Sequence, residues 1–181
     1  MAFTFDILQA LFDQKKYEEV IDRFSQISDL NNDSLDFYKL IAKSHLALNN
    51  IEEARFYLEK ALAIESNDFE VLKDLGNSFQ AEGNLNLAKL YYEKAILENP
   101  SYASALTNLG NIEIRLGNTN QALDLLIKAT KYEPSLGIAW GNLANAYTNL
   151  GKLKEAEDAC RKGINLIPNL FKSYYLLSTI L

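Results

Sequence analysis

Leu123, Leu126 and Ile127, with Thr130 following, recur at the three- and four-residue spacing that paints one stripe along a helix. The stripe lies between Gly117 and Pro134, and the same order of glycine, periodic segment and proline returns along the chain. All three prolines, Pro100, Pro134 and Pro168, fall 34 residues apart, and Gly83, Gly117 and Gly151 each stand seventeen positions ahead of one of them. A proline cannot continue a helix and biases the residue before it away from the helical region, while a glycine marks where a helix stops. Another periodic segment precedes each glycine. Each period is therefore predicted as helix, tight turn, helix and short connection.

The period carries a residue pattern as well as a length. A large residue, then Leu-Gly, then two small residues in the second helix and a closing proline appear as Leu106, Leu109, Gly110, Ala122, Ala129 and Pro134. The pattern returns in Leu72, Leu75, Gly76, Ala88, Ala95 and Pro100, and in Trp140, Leu143, Ala144, Ala156, Gly163 and Pro168. In length and pattern this resembles the tetratricopeptide repeat family. Residues 35–68 form a weaker copy that keeps Tyr38, Ile41, Ala42, Ala54 and Ala61, with Asn49 for the turn glycine and Ser66 for the proline. Asparagine is the next best residue for a left-handed turn, so the exchange is mild. Residues 1–34 are degenerate, with Leu8, Val20 and Ile27 where small residues belong, although Ile7, Tyr17 and Phe24 keep the packing positions.

The resemblance implies an all-α, right-handed superhelical solenoid of antiparallel helix pairs spanning residues 1–181. Its five repeats are 1–34, 35–68, 69–102, 103–136 and 137–170, and 171–181 form a partial sixth repeat or a capping helix. Gly76, Gly110, Ala88 and Ala122 are expected where helix axes approach closely, with Phe24, Tyr38, Phe79, Tyr92, Trp140 and Tyr147 filling the spaces between pairs. Stacked neighbours supply the core, and an uncovered end repeat is a liability. Phe171, Tyr174, Tyr175, Leu176, Leu177, Ile180 and Leu181 start a sixth first helix with no polar closing helix after it. The expectation is that the chain is a piece of a longer protein, or that Tyr174, Leu177 and Leu181 pair with something else, such as a second copy in a homodimer.

Net charge of -6 and a pI near 4.9 argue against general nucleic-acid binding, which needs a basic footprint. Charge is uneven: residues 1–34 hold seven acidic and three basic side chains, residues 137–170 three and four. A single cysteine excludes an internal disulfide. No basic segment leads into an apolar core at the N-terminus, and no apolar run approaches the ~20 residues that cross a bilayer. A cytoplasmic protein without a membrane partner is expected.

Catalytic chemistry finds no foothold in the residues. His45, the one histidine, takes the packing slot of Leu11, Phe79 and Tyr147, and excludes multi-imidazole metal sites. Cys160 takes the slot of Phe24, Leu58, Tyr92 and Leu126 and reads as a small buried thiol. The glycines follow the repeat and form no phosphate-cradling loop. Glu52, Glu53, Glu155 and Asp158 fall on outward faces. Glu113 stands in the slot of Phe79 and Tyr147, where a carboxylate needs a partner; the expectation is a local rotation that packs Ile112 or Ile114 instead. No enzyme activity, cofactor or metal is expected.

Function then falls to the surface. In the resembled family the first helix of each pair lines a concave groove, which projects onto Lys73, Asn77, Thr107, Asn108, Asn111, Gly141, Asn142, Asn145 and Asn149, with Lys39 and Lys43 flanking. Asn77, Asn111 and Asn145 form one row at the repeat spacing, and Asn108 and Asn142 a second. An asparagine amide both donates and accepts, so it pairs with a peptide unit whatever side chain that unit carries. The rows are similar to the asparagine-lined groove of the O-linked N-acetylglucosamine transferases' repeats, which implies an interaction scaffold for a protein or peptide in extended form. A second family mode clamps a terminal carboxylate with Lys, Asn, Asn, Lys and Arg. Lys73, Asn77 and Asn108 match its first members, but Ile138 and Asn142 replace the last two and remove the charge such a ligand needs. Phe5 and Phe12 project to the same inner face beside Asp6, Gln9 and Asp13, as an apolar anchor or as packing under a preceding segment. Two alternatives stay open: the recruiting N-terminal region of a glycosyltransferase or sulfotransferase, and a self-associating assembly factor.

Overall fold

A computed structural model describes residues 2–27, 34–169 and 171–180, and all regular structure within them is helical. The helices are α1 (Ala2–Asp13), α2 (Tyr17–Ile27), α3 (Leu35–Ala47), α4 (Ile51–Ile64), α5 (Phe69–Ala81), α6 (Leu85–Glu98), α7 (Ala103–Arg115), α8 (Thr119–Tyr132), α9 (Gly137–Asn149), α10 (Leu153–Leu166) and α11 (Phe171–Ile180). The prolines act as the pattern predicts: α6, α8 and α10 end two residues before Pro100, Pro134 and Pro168. Where the connection lacks a proline, side chains start the next helix instead. Ser34 Oγ accepts the Phe37 N–H at 3.4 Å and Asp68 Oδ1 the Val71 N–H at 2.8 Å, capping α3 and α5.

Five turns within the pairs share one geometry. Lys15, Asn49, Gly83, Gly117 and Gly151 have φ of 61, 61, 79, 84 and 71°. The next residue's N–H then reaches back five positions to a carbonyl of the first helix: Lys16 to Leu11 at 3.0 Å, Asn50 to His45 at 2.9 Å, Asn84 to Phe79 at 2.9 Å, Asn118 to Glu113 at 2.8 Å and Lys152 to Tyr147 at 3.0 Å. The degenerate first repeat thus makes the family turn with a lysine, where the left-handed conformation costs an L-residue about 1–2 kcal/mol.

The chain divides into two compact units, one ending at Tyr91 and the other starting at Tyr92. In the first, α1, α3 and α5 lie side by side, with α2 against α1 and α3 and α4 against α3 and α5. Its core gathers Leu8, Val20, Phe24, Ile41, Leu58 and Leu75, so Leu8 and Val20, large residues in small-residue positions, are fully buried rather than expelled. Each such side chain contributes about 1.5–3 kcal/mol through burial. In the second unit α7 and α11 flank α9, with α8 and α10 packed behind them. Leu126, Ala144, Cys160 and Leu176 form one cluster there and Leu106, Ala129 and Ala139 another. Gly110 is small for the expected reason: a Cβ on it would stand 2.7 Å from Leu126 Cγ, and Leu126 is wholly buried.

The expected rotation around Glu113 does not occur. Ile112 is fully buried at the repeat position of Ser44, Ser78 and Ala146, which are buried as well, so the register of α7 is intact. Glu113 is itself fully buried, and its Oε2 accepts the Asn118 side-chain amide at 2.7 Å from across the turn. A partner five residues on, brought back by the turn, removes the need to rotate.

Candidate functional site

Three positions per first helix recur along the chain, on α3 and α5 in the first unit and, separately, on α7 and α9 in the second. The first position runs Lys39, Lys73, Thr107, Gly141; the second, one residue later, Leu40, Asp74, Asn108, Asn142; the third, three further on, Lys43, Asn77, Asn111, Asn145.

In the first unit these positions are charged at Lys39, Lys43, Lys73 and Asp74 and uncharged at Leu40 and Asn77. Lys39 Nζ lies 2.8 Å from Asp68 Oδ2 and 3.0 Å from Glu70 Oε2, and Lys43 Nζ lies 3.3 Å from that same Glu70 oxygen. Burial draws the Lys39 ammonium down, but its hydrogen bonds to Asp68 and Glu70 outweigh this and hold it above the ordinary lysine value. The Lys39 hydrogen bond, helped by Lys43, holds the Glu70 carboxyl below its usual range against the opposing pull of burial. Lys73 pairs with the buried Asp74, whose Oδ1 also accepts the Asn77 amide at 3.2 Å. All three lysines expected to flank the groove are thus engaged by carboxylates of their own unit. Sequence reasoning missed Asp68 and Glu70, although a carboxylate at the start of the next first helix, 27 or 29 residues on, was the available signal.

Phe5 and Phe12 do come together. They line one pocket of about 220 Å3 with Gln9 on α1, Leu40 on α3 and the Lys39, Lys43 and Glu70 cluster. Each ring is fixed by an edge-on neighbour: Phe5 by Phe37 at 5.2 Å and Phe12 by Tyr17 at 5.3 Å.

In the second unit the same positions carry no charge. Thr107 is buried, and its hydroxyl donates to the Ala103 carbonyl at 2.7 Å, so it serves its own helix. Asn108, Asn111 and Asn145 are half-buried, Asn142 is 9% exposed and Asn149 is exposed. Asn108 and Asn111 stand on α7, and Asn142 and Asn145 at the matching positions of α9, which packs against it. On α11, Tyr174 and Leu177 border a shallow cleft with Arg161 and Ile164 of α10, while Leu181 lies outside the described residues.

The other reactive types are packing groups. The His45 imidazole is buried and stacks on Tyr57 at 5.6 Å; burial pushes it below the ordinary histidine value, and Glu53 opposes this. Burial likewise pushes the Cys160 thiol up. Among the described residues no group of three or more His, Cys, Asp or Glu side chains could hold a metal ion, and no helix is long and apolar enough to cross a membrane.

The fold recurs in known structures. A chain of the APC/C hetero-tetramer Cut9-Hcn1 superposes with a TM-score of 0.85 at 19% identity over 96% of this chain, which spans 35% of that chain. A thermophilic tetratricopeptide protein of Thermus thermophilus gives 0.78 at 18% identity, with 99% of this chain and 97% of that one covered. YrrB, described as a tetratricopeptide protein with an unusual peptide-binding site, gives 0.70 at 18% identity, covering 98% and 91%. No curated protein sequence matches the chain. One tetratricopeptide repeat model matches residues 11–75 and 79–135, and a second matches 137–170. Together with the five shared turns and the side-by-side first helices, these matches show that the chain belongs to the tetratricopeptide repeat family.

Proposed function

We propose that this chain is an interaction scaffold that holds an extended polypeptide on its first-helix face, and that Asn108, Asn111, Asn142 and Asn145 pair with the backbone of that polypeptide. The observation that carries the reading is the recurrence of the two asparagines at matching positions of the adjacent helices α7 and α9. Amides in register supply a donor and an acceptor at each step without charge selection, which suits a guest recognised by its main chain. Asn77 stands in the same row one repeat earlier but already donates to Asp74, so its contribution is smaller. Lys39, Lys43 and Lys73, being paired, tune the field of the face rather than hold a guest carboxylate. YrrB supports the reading as a peptide-binding protein of the same fold.

The test uses peptides selected by the full chain from a random display library. Asn108→Ala combined with Asn142→Ala is expected to weaken their binding at least about tenfold, or ~1.4 kcal/mol across two lost amides, with helicity and melting unchanged. Unaltered affinity in the folded double variant sinks the reading.

A further inference from the structure

The pocket between Phe5 and Phe12 has a chemistry of its own. Its lining is mixed, the two rings and Leu40 supplying about half of it and Gln9, Asp36, Lys39, Lys43 and Glu70 the rest. At about 220 Å3 it falls below the ~300–1,000 Å3 typical of a small-molecule site, and so has the capacity of one bulky side chain. Its polar wall is closed to a charged guest, because Lys39 and Lys43 both converge on Glu70 and Lys39 also reaches Asp68. Two ammoniums against two carboxylates leave that wall neutral as a whole.

The lip is different. Asp36 borders the pocket and is exposed at the start of α3, and Asp6 and Asp13, also exposed, stand on α1 beside Phe5 and Phe12. Asp13 accepts the Gln9 amide at 2.8 Å. A partner segment is therefore met by an apolar patch of Phe5, Phe12 and Leu40 beside a self-paired ionic wall, with the exposed carboxylate of Asp36 at the edge.

We propose that this pocket anchors one large apolar side chain, aromatic or long aliphatic, from a polypeptide segment that carries lysine or arginine next to it. The apolar group fills the space over Phe5, Phe12 and Leu40, and the neighbouring cation meets Asp36 with Asp6 or Asp13. The proposal rests on the reading of the first-helix face as the binding face and adds the side-chain preference that backbone pairing alone does not supply.

The same random peptide library, selected on the full chain, provides the test. Its binders should be enriched in an apolar residue beside a basic one. Gln9→Trp, which fills the pocket from a half-buried position, should weaken them at least about tenfold, and Asp36→Lys about threefold, more at low salt than at high. Circular dichroism melts of both variants should match the parent. Binders without the apolar-basic pair, binders indifferent to both substitutions, or no binders at all would overturn the anchor. If both pocket substitutions act while the Asn108 and Asn142 double variant binds normally, the anchor stands and the amide rows fail; the reverse result fails the anchor alone.

Discussion

Corresponding positions on the first helices of the two units carry different polar chemistry. Where the first unit has Lys39, Lys43, Lys73 and Asp74, the second has Thr107, Asn111, Gly141 and Asn142. Ions on one face must find each other, and they do, through Asp68, Glu70 and Asp74. Neutral amides are under no such demand. The scaffold fixes where side chains stand and leaves open what they are, so one fold holds a self-satisfied ionic face and an amide face. The turns differ in part as well: the first unit uses Lys15 and Asn49 besides Gly83, whereas both turns of the second are glycines, Gly117 and Gly151.

The comparison breaks first at Lys39. Lys39→Met leaves Asp68 and Glu70 short of a partner at partly buried sites, for an expected loss of about 1–2 kcal/mol in urea unfolding. Hydrogen exchange should show α3 and α5 loosened and α7 and α9 unmoved, and added salt should reduce the difference from the parent. Equal loosening of both units would mean that the ionic network is not what distinguishes them. A somewhat smaller effect, of opposite sign, is expected at the first turn. Lys15→Gly relieves a left-handed lysine and should raise stability by up to ~1 kcal/mol, since glycine's extra freedom in the unfolded chain offsets part of the relief. Gly117→Ala should lose a similar amount, and a thermal melt that fails to separate the two would remove the turns from the contrast.

The smallest effect concerns pH. The slot of His45 is held in the second unit by Glu113 and Tyr147, so a titrating imidazole distinguishes the first unit. Burial lowers the native His45 pKa below 6.5, and between that native value and the unfolded one the unfolded chain binds the proton and the native chain does not. The contribution is therefore complete above about pH 6.5 and is lost as pH falls through the native value. His45→Phe should flatten the parent's stability profile below pH 6.5, by under ~1 kcal/mol. An unchanged profile would assign the dependence to other groups.

The helix pairs were legible because prolines and glycines act locally. Pro100 stops α6 whatever lies around it, and Gly117 takes a conformation open to few other residues. Even so, the turn at Lys15 could not be read, because a lysine gives no sign of a left-handed backbone; the neighbouring pairs impose it. The amide rows were visible as a 34-residue recurrence. The saturation of the lysines was not, since the pairing of Lys39 with Asp68 depends on how α3 and the start of α5 pack. Glu113 failed for a related reason: its partner, Asn118, lies across the turn and is brought to it only by how the turn folds back.

The two amide rows also set a rhythm for whatever lies across them. Packed helices stand about 8–10 Å apart, and an extended chain advances about 3.3 Å per residue. On the proposed reading, a polypeptide crossing from α7 to α9 would meet Asn142 about three residues after Asn108. A left-handed polyproline II strand turns once in three residues and rises ~9.3 Å in doing so. Such a guest presents the same edge to both helices, and the residues between contacts are free to vary.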